Sequence, residues 1–128
     1  MVHTSDYEHP SFAFYFEYAK HSEFGKPLVN SAFTLAVVAG MSVSDTSQKA
    51  IANLGWTDIK LTAPVFVGDT IYAESEVLDK RESKSRPTQG VVKIKTTARK
   101  QCGTTFMSYE RVMLMPKRGH AVDDKAEY

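Results

Sequence analysis

A carboxylate and an imidazole stand side by side near the N-terminus, at Glu8 and His9. Such a pair can supply a general acid and a general base near neutral pH. The alternative is that both side chains are simply solvated at the end of the chain. The other three histidines have polar neighbours and lack the spacing of metal ligands on one helix, so we expect surface positions and no metal site for His3, His21 and His120.

The second candidate site is the polar start of an apolar segment, residues 30–43, with the sequence NSAFTLAVVAGMSV. Asn30 or Ser31 can cap a helix there, because a short side-chain oxygen accepts hydrogen bonds from amides of the first turn. The amides of a first turn are otherwise unpaired, and they carry the positive end of the helix dipole. They can therefore hold an oxygen that gains negative charge, although a helix cap alone would require the same residue types.

The third candidate site is a basic stretch, residues 80–86, with the sequence KRESKSR. Lysine and arginine at the end of a strand suit phosphate groups, and we single out Lys84 and Arg86. The alternative is a solvated loop whose charge keeps the protein in solution. Cys102 is the single cysteine, which excludes a disulfide framework, and no histidine flanks it, so we do not expect a nucleophile there.

The apolar segment also predicts the central element of the fold. It has no charged residue between Ala32 and Val43, and apolar side chains cover almost every face of the helix, so we expect the helix to be buried on all sides. It is too short to cross a bilayer, which takes about 20 apolar residues. A shorter helix is predicted over residues 12–20, where four apolar residues share one face: Phe12, Tyr15, Phe16 and Ala19.

The rest of the chain alternates apolar and polar residues, as strands do. We predict strands over 49–54 and 56–61, with Gly55 as a bulge between them, and then over 70–78, 90–99 and 104–115. Irregular connections are expected at 63–70, with a turn at Gly68, and at 80–89. In the last strand the pattern places Phe106, Val112 and Leu114 on one face and Tyr109 and Arg111 on the other.

A run of antiparallel strands curled around one central helix is the α+β hot-dog layout. The length of 128 residues predicts one such domain over 1–118, followed by a charged tail over 119–128. The net charge of +1 gives no reason to expect nucleic-acid binding. The N-terminus lacks the pattern of a signal peptide, so we expect a cytoplasmic protein without a membrane partner.

Six short motifs between residues 14 and 118 carry a family resemblance: EYA at 17–19, FGKPLVNS at 24–31, GMSV at 40–43, ANLG at 52–55, PVFVGDT at 64–70 and RESKSRP at 81–87. Together they resemble the MaoC-like hot-dog dehydratases, most closely the branch similar to mesaconyl-CoA hydratase. The resemblance implies a dimer that binds acyl-CoA or acyl-carrier thioesters and adds water reversibly across their α,β double bond. No cofactor is expected.

The resemblance also implies roles for the candidate residues. In the family, an Asp or Asn and a His five residues further on activate the water; these positions fall on Glu8 and Ala13, which leaves His9 to take the place of the family histidine. The first strand of the family has no counterpart in the sequence, so we expect that strand to be missing.

For the substrate, the resemblance implies that a backbone amide at the start of the central helix polarises the thioester carbonyl. The donor would be the amide of Ser31 or Ala32, with Asn30 adjacent. Lys84 and Arg86 would then hold the phosphates of CoA. From the aromatic run before the central helix, Tyr15 would contact the acyl group.

The predicted function is therefore a hydratase or dehydratase of an acyl thioester. A non-catalytic acyl-CoA-binding or partner subunit is one alternative, and a hot-dog thioesterase or tailoring enzyme is another. Because antiparallel sheet edges pair with other chains, we expect a homodimer, or a heterodimer with a second hot-dog chain that supplies the catalytic residues.

Overall fold

An antiparallel sheet with a helix packed on one face forms the part of the chain that the computed structural model describes, residues 17–122. The main elements, in chain order, are α1 (Ser31–Met41), a π-helical turn (Val43–Ser47), β1 (Ala52–Leu61), β2 (Ile71–Glu82), β3 (Gln89–Lys100) and β4 (Thr105–Pro116). The strand order is β1-β4-β3-β2, so β1 and β2 form the two edges. This architecture confirms the predicted α+β class.

Before α1, residues 17–20 are helical, in agreement with the last part of the helix predicted over 12–20. The first part of that predicted helix lies outside the described residues. Within residues 17–122, no helix is long and apolar enough to span a membrane.

Helix α1 begins where the sequence places a cap. The Asn30 side-chain oxygen accepts hydrogen bonds from the amides of Ala32 (2.8 Å) and Phe33 (3.2 Å). The prediction that the helix is buried on all sides is wrong for the single chain, because only Thr34 and Val38 are buried while Phe33 is 64% exposed. The sheet covers one side of the helix, and the opposite apolar side faces outward.

The strands are longer and fewer than predicted. The two short strands around Gly55 are one strand, β1, with a register shift between Asn53 and Gly55 that confirms the predicted bulge. Strand β2 continues to Glu82, so Lys80 and Arg81 belong to the strand rather than to the connection after it. The turn predicted at Gly68 is confirmed, since its φ of 98° is one that glycine adopts without strain.

Strand β4 also buries two side chains with polar ends. Tyr109 and Arg111 are 1% and 8% exposed, and Tyr109 belongs to the core cluster that includes Val38 of α1. The Tyr109 ring packs 4.9 Å from the Trp56 ring, and the Arg111 guanidinium lies 5.2 Å from the same ring. Both side chains have large apolar or planar surfaces, which lets them be buried despite their polar ends.

Candidate active site at the start of helix α1

The start of α1 is fixed against the irregular segment between β1 and β2. The Val29 amide donates to the Val65 carbonyl at 2.8 Å, and Leu28 forms an isolated bridge with Phe66. The Lys100 ammonium at the end of β3 donates to the Pro64 carbonyl at 2.8 Å. The helix start therefore lies at the end of the sheet where β2 begins and β3 ends.

The first turn of α1 leaves one amide available. The Asn30 side chain occupies the amides of Ala32 and Phe33, and the Thr34 amide donates to the Asn30 carbonyl at 3.0 Å. Within residues 17–122, the amide of Ser31 has no hydrogen-bond partner, and the residue is exposed. Of the two donors expected at this site, Ser31 is thus available to a ligand and Ala32 is engaged.

Two openings flank the helix start. The first, which we call the β1-side pocket, has an empty volume of about 310 Å³ and is lined by residues that include Ser31, Thr34, Leu61, Pro64 and Met107. The second, the β2-side groove, has an empty volume of about 610 Å³, and its lining includes Phe33, Val37, Val67, Asp69 and Ile71. The linings of both are mostly apolar, which suits an acyl chain.

A network around Asp69 holds the segment that borders the groove. One carboxylate oxygen accepts from the Phe66 amide at 2.9 Å and lies 3.4 Å from the Lys100 ammonium; the other accepts from the Gln101 amide group at 3.1 Å. The Phe66 hydrogen bond, followed by the Gln101 hydrogen bond, lowers the pKa of Asp69 from its usual value. The sequence indicated only a turn at Gly68 and Asp69, so this positioning role was not predicted.

The predicted phosphate-binding residues lie elsewhere in the chain. Lys84 and Arg86 are exposed in the loop 83–88 between β2 and β3, where the Arg86 amide donates to the Ser83 hydroxyl at 3.2 Å. This loop is at the opposite end of β2 from the helix start. Since β2 has 12 residues, the two regions are separated by about 35 Å along the strand. The structure does not bring them together within one chain.

The remaining candidate residues, Glu8, His9 and Tyr15, lie outside the described residues. No cluster of three or more His, Cys, Asp or Glu side chains that could hold a metal ion occurs between Glu17 and Val122.

The comparisons with known proteins agree with this architecture. The family model described as mesaconyl-CoA hydratase matches residues 4–127. A mesaconyl-CoA hydratase from Haloarcula marismortui is 35% identical over 107 residues, which are 83% of this chain and 30% of the relative. The chain therefore spans less than a third of the length of that curated relative.

Solved structures show the same fold. A putative MaoC domain dehydratase from Chloroflexus aurantiacus is 30% identical, with a TM-score of 0.72 over 80% of this chain and 28% of that chain. A protein from Mycobacterium tuberculosis with a double hot-dog fold is 23% identical, with a TM-score of 0.65 over 75% of this chain and 31% of that chain. The chain has the hot-dog fold and belongs to the MaoC-like family of mesaconyl-CoA hydratase.

Proposed function

We propose that this chain takes part in the reversible addition of water across the α,β double bond of an acyl-CoA thioester, with mesaconyl-CoA as the first substrate to test. The observation that carries the proposal is the available Ser31 amide at the start of α1, next to two mostly apolar openings. Membership of a family named for this reaction supports the same choice.

The proposed chemistry places the negative charge of the reaction at the Ser31 amide. The oxygen of water forms a bond to the β-carbon and gives its proton to a base, while the electron pair of the double bond moves to the thioester oxygen as an enolate. That oxygen accepts a hydrogen bond from Ser31, and a donor of this kind is worth about 2.7–4 kcal/mol in the transition state. The enolate then collapses as the α-carbon takes a proton from an acid.

Asn30 has a positioning role in this proposal. Its side-chain oxygen is already engaged with the amides of Ala32 and Phe33, so it holds the first turn in place and leaves Ser31 as the donor. Glu8 and His9 are proposed as the acid and base, on the sequence argument alone.

The test is a substitution that removes one N–H group. Proline is favoured at the first position of a helix and has no amide hydrogen, and the preceding Asn30, with φ −59° and ψ 129°, already has the conformation that proline requires of its neighbour. Ser31→Pro should lower kcat for hydration by about 10²–10³-fold. Ser31→Ala keeps the amide and should retain most of the activity. Equal activities of the proline and alanine variants would contradict the proposal.

A second candidate function is that of a thioester-binding subunit whose partner chain supplies the acid and base. The observation in its favour is Ala13, which stands at the position of the family histidine. In that case the purified chain should bind CoA thioesters without converting them, and hydration should appear only when a second hot-dog chain is added. Release of free thiol from acyl-CoA would instead indicate a thioesterase.

A further inference from the structure

We propose that the end of the sheet opposite the helix start carries a separate binding site, which takes a nucleoside phosphate such as ADP. The site is a groove formed by the adjoining ends of β2, β3 and β4, which we call the far-end groove. The inference goes beyond the proposed hydration and does not depend on it.

Positive charge is concentrated at this end of the sheet. The chain leaves β4 beside the loop 83–88, because the Lys117 amide donates to the Thr88 carbonyl at 2.8 Å. The residues at this end include six cationic and two acidic ones: Lys80, Arg81, Lys84, Arg86, Lys117 and Arg118, with Asp79 and Glu82. Since the whole chain has a net charge of only +1, this end attracts anions more strongly than the rest of the surface.

The far-end groove has an apolar floor between these charges. Its empty volume is about 710 Å³, larger than that of either opening beside α1. The floor consists of Gly90 and Val92 on β3 and of Met115 and Pro116 at the end of β4, all half-buried. Charged residues complete the lining: Lys80, Arg81, Glu82 and Lys117. An apolar surface with a few polar groups around it is typical of a small-molecule site.

The strand register places a free cation beside this floor. Lys80 is paired with Val92 in the ladder, and Glu82 with Gly90. Residues directly opposite each other in antiparallel strands have side chains on the same face, so the Lys80 side chain lies on the face of the floor. The Lys117 ammonium lies 3.1 Å from the Glu82 carboxylate on the same side. Within residues 17–122, no carboxylate forms an ion pair with Lys80, so its charge is available to an anion.

The loop 83–88 adds uncharged donors next to the cations. The Arg86 amide donates to the Ser83 hydroxyl at 3.2 Å, which closes the turn. In the part of the chain that the structure describes, the amides of Lys84 and Ser85 inside this turn have no hydrogen-bond partner. Unpaired amides in a turn, together with lysine and arginine side chains, suit the oxygens of a phosphate group.

The two chemistries of the groove together indicate one kind of ligand. An apolar floor alone would suit an acyl chain, and cations alone would suit inorganic phosphate. A nucleoside phosphate uses both, since the faces of its base are apolar and its phosphates are anionic. The groove is about 35 Å from the Ser31 amide along β2, so an acyl chain bound at that amide in the same chain does not fill it.

Calorimetric titration of the full chain tests the ligand class. ADP should bind tighter, by about tenfold or more, than pyrophosphate, which has no base, and than adenosine, which has no phosphate. Equal affinities for ADP and pyrophosphate, or no binding of ADP at millimolar concentrations, would overturn the proposal.

The ion pair in the groove gives a test in which two variants should differ. Lys117→Gln removes a cation and leaves the Glu82 carboxylate unpaired, so ADP binding should weaken by about tenfold or more. Glu82→Gln removes the competing negative charge, so ADP binding should stay unchanged or become stronger. Equal weakening in both variants would mean that the ion pair only shapes this end of the sheet, and the proposal would be wrong.

Lys93→Gln is the matched control for Lys117→Gln. Lys93 also forms an ion pair, with Glu110 at 3.0 Å, in the same sheet but outside the lining of the groove. ADP binding should be unchanged in this variant. A loss equal to that of Lys117→Gln would indicate a general effect of surface charge and would contradict a built site.

Competition distinguishes a free nucleotide from the nucleotide that CoA carries. If the groove is a separate site, CoA and acyl-CoA should displace ADP equally well. The acyl thioester of N-acetylcysteamine, which has no nucleotide, should not displace ADP. Displacement by that thioester, or much stronger displacement by acyl-CoA than by CoA, would show that ADP occupies the acyl-CoA site and would overturn the proposal.

Discussion

The two edges of the sheet differ in regularity. Strand β1 has two register shifts against β4 within its ten residues, and Asp58 within it has a φ of 51°. Strand β2 has twelve residues and a single register shift against β3, between Val77 and Asp79. Bulges and left-handed residues twist an edge away from a regular ladder, so they protect β1 against pairing with a second strand.

Of the two edges that residues 17–122 describe, β2 is therefore the more regular one. The same side of the molecule has the outward apolar side chains of α1, such as Phe33, next to the β2-side groove. Helix α1 is apolar on nearly all faces, yet the sheet buries only one of them. This is consistent with burial of the exposed apolar face by another chain. The comparison of edges therefore leads to predictions about where a charge breaks association and where it does not.

The largest effect is expected from a charge at the centre of the β2 edge. If two copies pair antiparallel through their β2 edges, Val77→Lys would put a lysine of each copy into the interface, where burying an unpaired charge costs several kcal/mol. The dimer should dissociate at low micromolar concentrations, as measured by light scattering.

The matched control for Val77→Lys is Ile59→Lys on β1, where the wild-type side chain is also exposed, at 46%. A surface change of this kind is usually within about 0.5 kcal/mol, so the dimer should persist. If the Ile59 variant dissociated and the Val77 variant stayed dimeric, the interface would lie at the β1 edge instead.

Much of the fold was predictable from the sequence because local signals determine it. Alternation located the strands, Gly68 marked a turn where the structure has a φ of 98°, and Asn30 marked the start of α1. The extent of helix burial was not predictable, because an apolar surface does not reveal whether its cover belongs to the same chain. The alternation in β4 could not reveal that Arg111 is buried, because that depends on the packing of its charged end on Trp56.

The sequence singled out candidate residues such as Ser31 and Lys84 by their chemistry, and their roles stay predictions. The geometry around them could not be predicted from the sequence. The sequence could not reveal that Asn30 would engage the amide of Ala32, since that depends on the rotamer of one side chain. It also could not reveal that a strand of twelve residues separates the helix start from the basic loop, because the prediction ended β2 at Leu78.

A smaller effect is expected from the charges along β2, since antiparallel pairing of two copies brings its acidic half, with Glu74, opposite its basic half, with Lys80. Glu74→Lys alone should weaken the dimer about two- to thirtyfold, because each exposed cross-strand pair contributes about 0.2–1 kcal/mol and a symmetric dimer has two such pairs. The swap Glu74→Lys/Lys80→Glu should recover most of that affinity. Glu74 also pairs with Arg99 in the same chain at 2.8 Å, so dimer affinity and not thermal stability is the quantity to measure. A swap that is weaker than either single variant would exclude this antiparallel pairing.

The smallest effect concerns the residue that leads into β2. Folding lowers the pKa of Asp69 below its usual value of 3.8. The charged carboxylate therefore stabilises the fold at pH values above 3.8. This stabilisation is lost as the pH falls from 3.8 through the lower pKa of the folded protein. Asp69→Asn should therefore lower the Tm by a few degrees near neutral pH, and the difference from wild type should shrink below about pH 3.8.

Asp58→Asn on the β1 edge is the control, since the Asp58 side chain has no hydrogen bond or ion pair within the described residues. A difference between Asp69→Asn and wild type that stays constant on acidification would mean that the Phe66 and Gln101 hydrogen bonds do not depend on the charge of Asp69. The start of β2 would then be held by Lys100 and Pro64 instead.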